Sequence, residues 1–324
     1  MESLERRLNI LKDSRILVTG GSGYIGSHLI AKLVAEGAHV IAIARHQYKL
    51  DRLKKDNAPA DIETIKCDVA EPQQVLKVKE QVGNIDYLVH LVMTSPKASG
   101  IQDTIRGAQN DIVGTCNVLG YLGQGVKRVC FSSSGEVYGA PKYLPIDEKH
   151  PTEPQNYYGV TKLASEAYMR VFSETNCPVI ALRFSLVYGA GEPINRAIPQ
   201  QITATLEGSS PIVYGDGMPE RDYVYVEDAA EAILLSLKCK ATSNYNVYNI
   251  SSRQVYKDSE VAEMIIRLCG NNQAPTYDLG KIVRVGYCLD TTAARRDLGY
   301  LPKIELEEGI GNEIAWLKGR DNVK

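Results

Sequence analysis

The sequence predicts a doubly wound α/β fold, a parallel sheet covered by helices on both faces, and three observations carry that prediction. A short apolar run, Arg15-Ile16-Leu17-Val18, enters a glycine turn, Thr19-Gly20-Gly21-Ser22-Gly23-Tyr24-Ile25-Gly26. Past the turn, residues 27–34 place apolar side chains at helical spacing, Glu36-Gly37 closes that stretch, and 39–43 is a second β-rich run. Strands then alternate with helices over residues 15–185, the arrangement that builds a parallel sheet.

Each element has a physical reason. Gly20 and Gly23 permit the tight turn and let backbone N–H groups approach a pyrophosphate. Gly26 lets the next helix lie close to the strand, and that helix adds partial positive charge at its N-terminus. Strand, glycine turn, helix and strand in this order are the context of a dinucleotide site, with Gly20, Gly23, Tyr24, Ile25 and Gly26 as candidate contacts. The second strand ends at Ile43, followed by Ala44-Arg45-His46. An NAD-binding unit carries a ribose-binding carboxylate near this point. Here Ala44 and then a cation stand there, so Arg45 favours a ribose 2′-phosphate and NADP over NAD; a solvated surface arginine is the alternative.

Residues 61–69 read as a strand that brings Asp68 and Val69 to the sheet's carboxyl edge as candidate adenine contacts. For Asp68, capping of the helix expected from Glu71-Pro72 is the alternative. A buried strand follows at 85–92, a helix at about 104–123, and a strand at 128–131 that delivers Ser132-Ser133-Ser134-Gly135-Glu136-Val137-Tyr138-Gly139. After a proline-rich loop from Pro141 to Pro154, Tyr157-Tyr158-Gly159-Val160-Thr161-Lys162 opens another helix. Tyr158 and Lys162 share a face there, so the ammonium is expected to stabilise phenolate and draw the tyrosine pKa down from about 10. That makes Tyr158 an acid or base at a sugar hydroxyl or carbonyl, with Ser134 orienting the same oxygen.

The carboxyl third has a different texture: loops around a helix at 198–206, a strand at 224–226, a helix at 227–237, a strand at 246–250, and helices at 259–268 and 292–298. Arg295-Arg296-Asp297 reads as a solvated helix face. This smaller lobe is expected to close over a substrate above the sheet's carboxyl edge. The division is therefore a Rossmann-type dinucleotide-binding domain over 1–185 and a substrate-binding lobe over 186–324, interleaved, with an approximate boundary.

Length and composition agree with that plan. The 324 residues suffice for a large core plus a lobe, and 44% hydrophobic with 23% charged residues is ordinary for a soluble globular chain. A net charge of −2 gives no electrostatic reason to expect nucleic acid or an anionic membrane as partner. Seven scattered cysteines without a C-x-x-C pair read as reduced thiols in a cytoplasmic protein, and five isolated histidines lack metal-ligand spacing, so no metal is expected. The charged N-terminus has no apolar run and shows neither signal peptide nor membrane span; residues 1–13 are expected to form a short amphipathic helix.

The combination TGGSGYIG, FSSSGEVYG and YYGVTK resembles the extended short-chain dehydrogenase/reductases, specifically the nucleotide-sugar epimerase/dehydratase group. The resemblance extends through Leu182–Gly189, Gly215-Asp216-Gly217, Arg221–Asp228 and Asp290–Tyr300, nearly the whole chain. It implies that Ser134, Tyr158 and Lys162 form the catalytic set, with hydride passing between a sugar carbon and nicotinamide. It also implies that Lys162 holds the nicotinamide ribose, that Arg221 meets the substrate phosphates, and that Arg284 is a second clamp.

Departures from the family pattern bear on the reaction. Leu186 stands where UDP-sugar epimerases have asparagine, and Asp111 where an asparagine precedes the Gly-Thr of the central helix. Gly135 replaces the aspartate of the deoxysugar dehydratases, while Glu136 keeps the second acid. Glu136 is then either a base at a carbon next to a ketone or a structural carboxylate bonded to local backbone. The expected activity is NAD(P)-dependent epimerisation of a nucleotide sugar, at C4 through a transient 4-keto sugar. The alternatives are an NADPH-dependent 4-keto-sugar reductase, a dehydratase or decarboxylase using Glu136, and a non-catalytic dinucleotide-binding protein. A homodimer is expected through the apolar faces of helices 104–123 and 157–173, for which burial in the core is the alternative.

Overall fold

Alternation along the first strand already fixes the layers. In β1 (Arg15–Thr19), Ile16 and Val18 enter the apolar cluster on one face of the sheet and Leu17 the cluster on the other. The computed structural model describes residues 10–60, 62–93, 101–280 and 286–321, so most of the expected N-terminal helix lies outside the described residues. Chain order continues with α1 (Tyr24–Ala35), β2 (His39–Ala44), α2 (Gln47–Asp56), β3 (Glu63–Lys66), α3 (Pro72–Val82) and β4 (Tyr87–His90). Next comes α4, a helical stretch over 101–122 in which the segments Ala108–Val113 and Val118–Leu122 widen to π-helical turns. β5 (Arg128–Ser134), α5 (Tyr157–Ser173), β6 (Val179–Phe184), β7 (Leu186–Tyr188), α6 (Ala197–Leu206), β8 (Ile212–Tyr214) and β9 (Glu220–Tyr225) follow. The chain ends with α7 (Val226–Lys238), β10 (Tyr245–Ile250), β11 (Val255–Lys257), α8 (Asp258–Leu268), β12 (Thr276–Asp278), α9 (Thr292–Leu298) and α10 (Leu306–Asp321).

Seven strands form one parallel sheet in the order β10-β6-β5-β4-β1-β2-β3. The chain moves outward from β1 to β3 and returns to β4 beside β1, which opens a crevice at the carboxyl ends of β1 and β4. The expected doubly wound fold is therefore present, and β10, from the carboxyl third, completes its edge. Two small sheets, β11-β9-β7 and β12-β8, stand apart from it. Val226, expected in a strand, instead opens α7, and α2, α10 and the short strands β8, β11 and β12 are additions to the expected elements. All seven cysteines are free thiols. Among the described residues, no helix is long and apolar enough to cross a membrane, and no cluster of potential ligands is fit to hold a metal.

One buried carboxylate fastens the carboxyl lobe beneath the cleft. Asp222 in β9 is fully buried and accepts the Ser251 hydroxyl (2.5 Å) after β10 and the Leu289 N–H (2.8 Å) before α9. Burial pushes its carboxyl up to about 7, against the pull of those hydrogen bonds and of Arg253. The native state therefore holds this proton more tightly than the unfolded chain, whose aspartates titrate near 4. The stabilisation is complete below about pH 4 and is lost as pH rises through about 7. Replacing Asp222 by Asn keeps an acceptor and removes the titration. The wild-type unfolding midpoint in urea is expected to fall relative to that of D222N as pH goes from 4 to 8, and parallel midpoints would count against this account.

Candidate functional site

The glycine turn leaves no room for a side chain at Gly20 or Gly26. Gly20 has φ +70°, and a Cβ on it would lie 3.2 Å from the Val92 nitrogen, where β4 leaves the sheet. A Cβ on Gly26 would collide with the carbonyl oxygens of Gly20 and Gly21. This turn and the first turn of α1 form an open backbone cradle at the crevice, which fits a dinucleotide pyrophosphate. Tyr24 and His28 of α1 also hold the loop after β7: the Tyr24 hydroxyl donates to the Gly189 carbonyl (3.2 Å) and His28 Nε2 to the Ala190 carbonyl (2.8 Å). At the far end of the cleft β2 finishes at Ala44, in register with Lys66 of β3, and Arg45 is exposed just beyond. Asp68 does not cap α3. Its carboxylate accepts the Ala70 N–H (3.0 Å), because Glu71 occupies the position before the helix, and it remains half-buried beside buried Val69.

β5 and α5 bring the candidate acid/base residues together. Asn156 starts α5 by accepting the Gly159 N–H (2.8 Å), and it donates to Glu136 (2.6 Å), so Glu136 braces the first turn of the helix that carries Tyr158. Ser134 ends β5, with its hydroxyl accepting the Glu136 N–H (3.2 Å). Tyr158 donates to the Met93 sulfur at 3.7 Å. Lys162 is buried to 1% exposure, donates to the Ser132 carbonyl (2.5 Å), and lies 4.7 Å from the centre of the Phe131 ring.

This geometry corrects one expectation. Tyr158 and Lys162 do share a face of α5, yet the Tyr158 pKa stands well above 10. Burial is the main cause and Asp111 adds to it, while a hydrogen bond with Ser134 and the charge of Arg196 pull it down. Lys162 has turned to the strand, and burial lowers its own pKa to about 8 against the opposing influence of Asp111 and Glu166.

Behind these residues a directed hydrogen-bond chain links the cofactor turn to α5. Burial forces His90 down to about 3, with the Lys162 charge adding to the effect, so its ring is neutral. Thr115 commits its hydroxyl proton to the Asp111 carbonyl (2.5 Å) and so accepts from His90 Nε2 (3.1 Å). His90 Nδ1 then accepts from Thr19, the residue that opens the glycine turn (2.7 Å). Ser165 of α5 also donates to the Asp111 carbonyl (3.0 Å), and the Asp111 side chain accepts the Thr161 hydroxyl (2.8 Å). The π-helical turn carrying Asp111 thereby serves both neighbours.

Arg221 of β9, a candidate substrate contact, is held side-on by Asp258 at 3.2–3.3 Å. Leu186 opens β7 and is half-buried, and Arg284 lies outside the described residues. Sequence reasoning missed Tyr287. A side chain at Gly135 would begin 3.3 Å from its ring, so Tyr287 packs tightly against that position. Its phenol is raised by burial first and then by the charges of Glu136 and Asp222, with Arg221 opposing. No motif marks Tyr287; only the tertiary contact does.

Comparison with known proteins places this arrangement. The model of the NAD dependent epimerase/dehydratase family matches residues 16–251. A putative UDP-glucose 4-epimerase of Methanocaldococcus jannaschii is 31% identical over 317 residues, covering 95% of this chain and all of that protein. The crystal structure of a Thermotoga maritima UDP-glucose 4-epimerase with UDP-glucose superposes with a TM-score of 0.85 at 27% identity, covering 96% of this chain and 100% of the other. A Bacillus cereus UDP-glucuronic acid 4-epimerase bound to UDP-glucuronic acid and NAD gives 0.84 at 25% identity, over 94% and 99%. This chain belongs to the NAD-dependent epimerase/dehydratase family.

Proposed function

We propose that this protein is a nucleotide-sugar 4-epimerase that works through a transient 4-keto sugar, with Tyr158 as its acid/base. The observation that carries the reading is the approach of the Ser134 hydroxyl to that of Tyr158, one helical turn from Lys162, at the carboxyl edge that also holds the glycine cradle. Ser134 orients the sugar oxygen, Tyr158 takes its proton and later returns it, and Lys162, one turn along the same helix, is the candidate cation for the phenolate. NAD(P), when bound, accepts and returns the hydride and brings a positive charge in its oxidised form. Gly20, Gly23, Tyr24, Ile25 and Gly26 would hold its pyrophosphate, with Asp68 and Val69 near the adenine and Lys162 at the nicotinamide ribose. Arg221, together with Arg284 by family resemblance, would take the substrate diphosphate. The relatives that act on or bind UDP-sugars support UDP as the nucleotide. Glu136, engaged with Asn156, fits the bracing role better than carbon deprotonation.

Arg45 and Lys66, flanking the end of β2 with no acid at Ala44, support NADP as the preferred cofactor and favour a second reading, an NADPH-dependent 4-keto-sugar reductase. Exposed Ile105 and Val113 on α4, with Tyr157, Val160, Tyr168 and Val171 on α5, form an apolar surface suited to a second copy of the chain.

Purified protein should interconvert C4-epimeric UDP-sugars with no net change in nicotinamide absorbance. Stoichiometric NADPH consumption on a 4-keto sugar would instead establish the reductase. Tyr158→Phe is expected to lower kcat by about 10²- to 10⁴-fold while leaving cofactor binding intact. Arg45→Ala should weaken NADP binding by roughly 10- to 100-fold and NAD binding little, as read by calorimetric titration; equal effects would remove the 2′-phosphate contact. Val171→Glu is expected to halve the mass measured by light scattering, and an unchanged mass would argue against this surface as the dimer contact.

A further inference from the structure

Glu166 lies one helical turn beyond Lys162 and is almost fully buried. Arg183 of β6 clamps its carboxylate through Nε (2.9 Å) and Nη2 (2.6 Å), and Ser133 of β5 donates its hydroxyl to the same carboxylate (2.5 Å). Arg183 also lies 4.8 Å from the Tyr138 ring centre, and the Tyr138 hydroxyl donates to Asn249 (2.7 Å). A buried ion pair adds little stability over an apolar pair of the same shape, because desolvation offsets the attraction. What it supplies here is register. Lys162 holds the Ser132 carbonyl and Glu166 holds the Ser133 hydroxyl, so two residues one turn apart on α5 grip consecutive residues of β5. The next residue is Ser134.

We propose that Glu166 is a positioning residue for the acid/base site: through Ser133 and Arg183 it holds the carboxyl end of β5 against α5, so that the Ser134 hydroxyl meets that of Tyr158. The proposal rests on the roles given above to Ser134 and Tyr158. The charged and titratable groups around Glu166 are Arg183 from β6, Tyr138 beyond β5, Tyr245 from β10 and Lys162 on its own helix. Those around Lys162 are Asp111 from α4, Glu166 and the neutral His90 of β4. Glu166 and Asp111 both favour the ammonium form of Lys162.

Two variants separate positioning from packing. Ser133→Ala leaves the ion pair in place and removes only the grip on β5. It is expected to lower kcat by about 10- to 100-fold, the scale of a small misplacement of reacting groups, with KM and the melting temperature nearly unchanged. Ser133→Thr keeps the hydroxyl and should restore kcat. Wild-type kcat in S133A, or equal losses in S133A and S133T, would overturn the proposal. Glu166→Gln removes a charge that favours the Lys162 ammonium, so the Lys162 titration, followed by NMR of ¹³C-labelled lysine and assigned with Lys162→Met, should move to lower pH. That measurement needs no turnover. If the wild-type protein epimerises no nucleotide sugar, the functional reading fails. The link between Glu166 and the site is then decided by the lysine spectrum: a Lys162 titration unchanged in E166Q would overturn it. Should E166Q not fold, the S133A and S133T pair decides between positioning and packing.

Discussion

The buried ammonium of Lys162 is the group around which the neighbouring structure has to be arranged. Removing such a charge from water costs about several kcal/mol even after relaxation, so the surroundings must answer it. They do so with the Ser132 carbonyl, the face of Phe131, and the carboxylates of Asp111 and Glu166 at longer range. They come from three elements, β5, α4 and α5 itself, and so tie the end of β5 and the π-helical turn of α4 to the helix that carries Lys162. The remaining imbalance appears as a pKa near 8, which keeps the ammonium charged at neutral pH and within reach of losing its proton. A lysine in that condition suits a site that must favour phenolate at one moment and phenol at another.

The same logic explains the asymmetry between the two sides of the cleft. On the proposed reading, the cofactor side is built largely from backbone, a turn with no room for a Cβ at Gly20 or Gly26 and the first turn of α1, and the acid/base side from side chains whose orientations are fixed by partners. His90 joins the two. Its neutral ring accepts from Thr19 at the glycine turn and donates to Thr115, and that hydroxyl in turn holds the Asp111 carbonyl. A protonated imidazole would be unable to accept from Thr19, so the low pKa imposed by burial is what lets the chain run in one direction.

The parts legible in the sequence were those governed by local rules. The glycine turn required its glycines, the buried strands alternated or ran apolar, and Tyr158 and Lys162 stood one turn apart, so the parallel sheet and the meeting of Ser134 with Tyr158 followed from spacing and order. What spacing could not reveal was the direction in which the Lys162 ammonium turns, because that depends on a carbonyl thirty positions earlier in the chain. The pKa of Tyr158 was misjudged for the same reason: a shared helix face implies proximity, while burial, which outweighs it, is a tertiary property. Tyr287 was invisible as a site residue because it reaches Gly135 only after the carboxyl segment has returned to the sheet, and Arg183 because its clamp on Glu166 depends on how α5 packs across β5 and β6.

The proposed substrate side shows how such returns shape chemistry. Arg221 is already engaged, with its Nε and one Nη nitrogen on Asp258. A guanidinium has a second two-donor edge, so Asp258 fixes the plane of the group and leaves that edge for a phosphate, at the cost of part of its positive field. On the proposed reading, a substrate must then gain its affinity from several modest contacts rather than one strong clamp. That condition suits an epimerase, whose 4-keto sugar has to turn over within the site between the two hydride transfers. Tyr287 packs beside Gly135, next to Ser134, and on the proposed reading the acid/base pair stays fixed by β5 and α5 while the sugar turns.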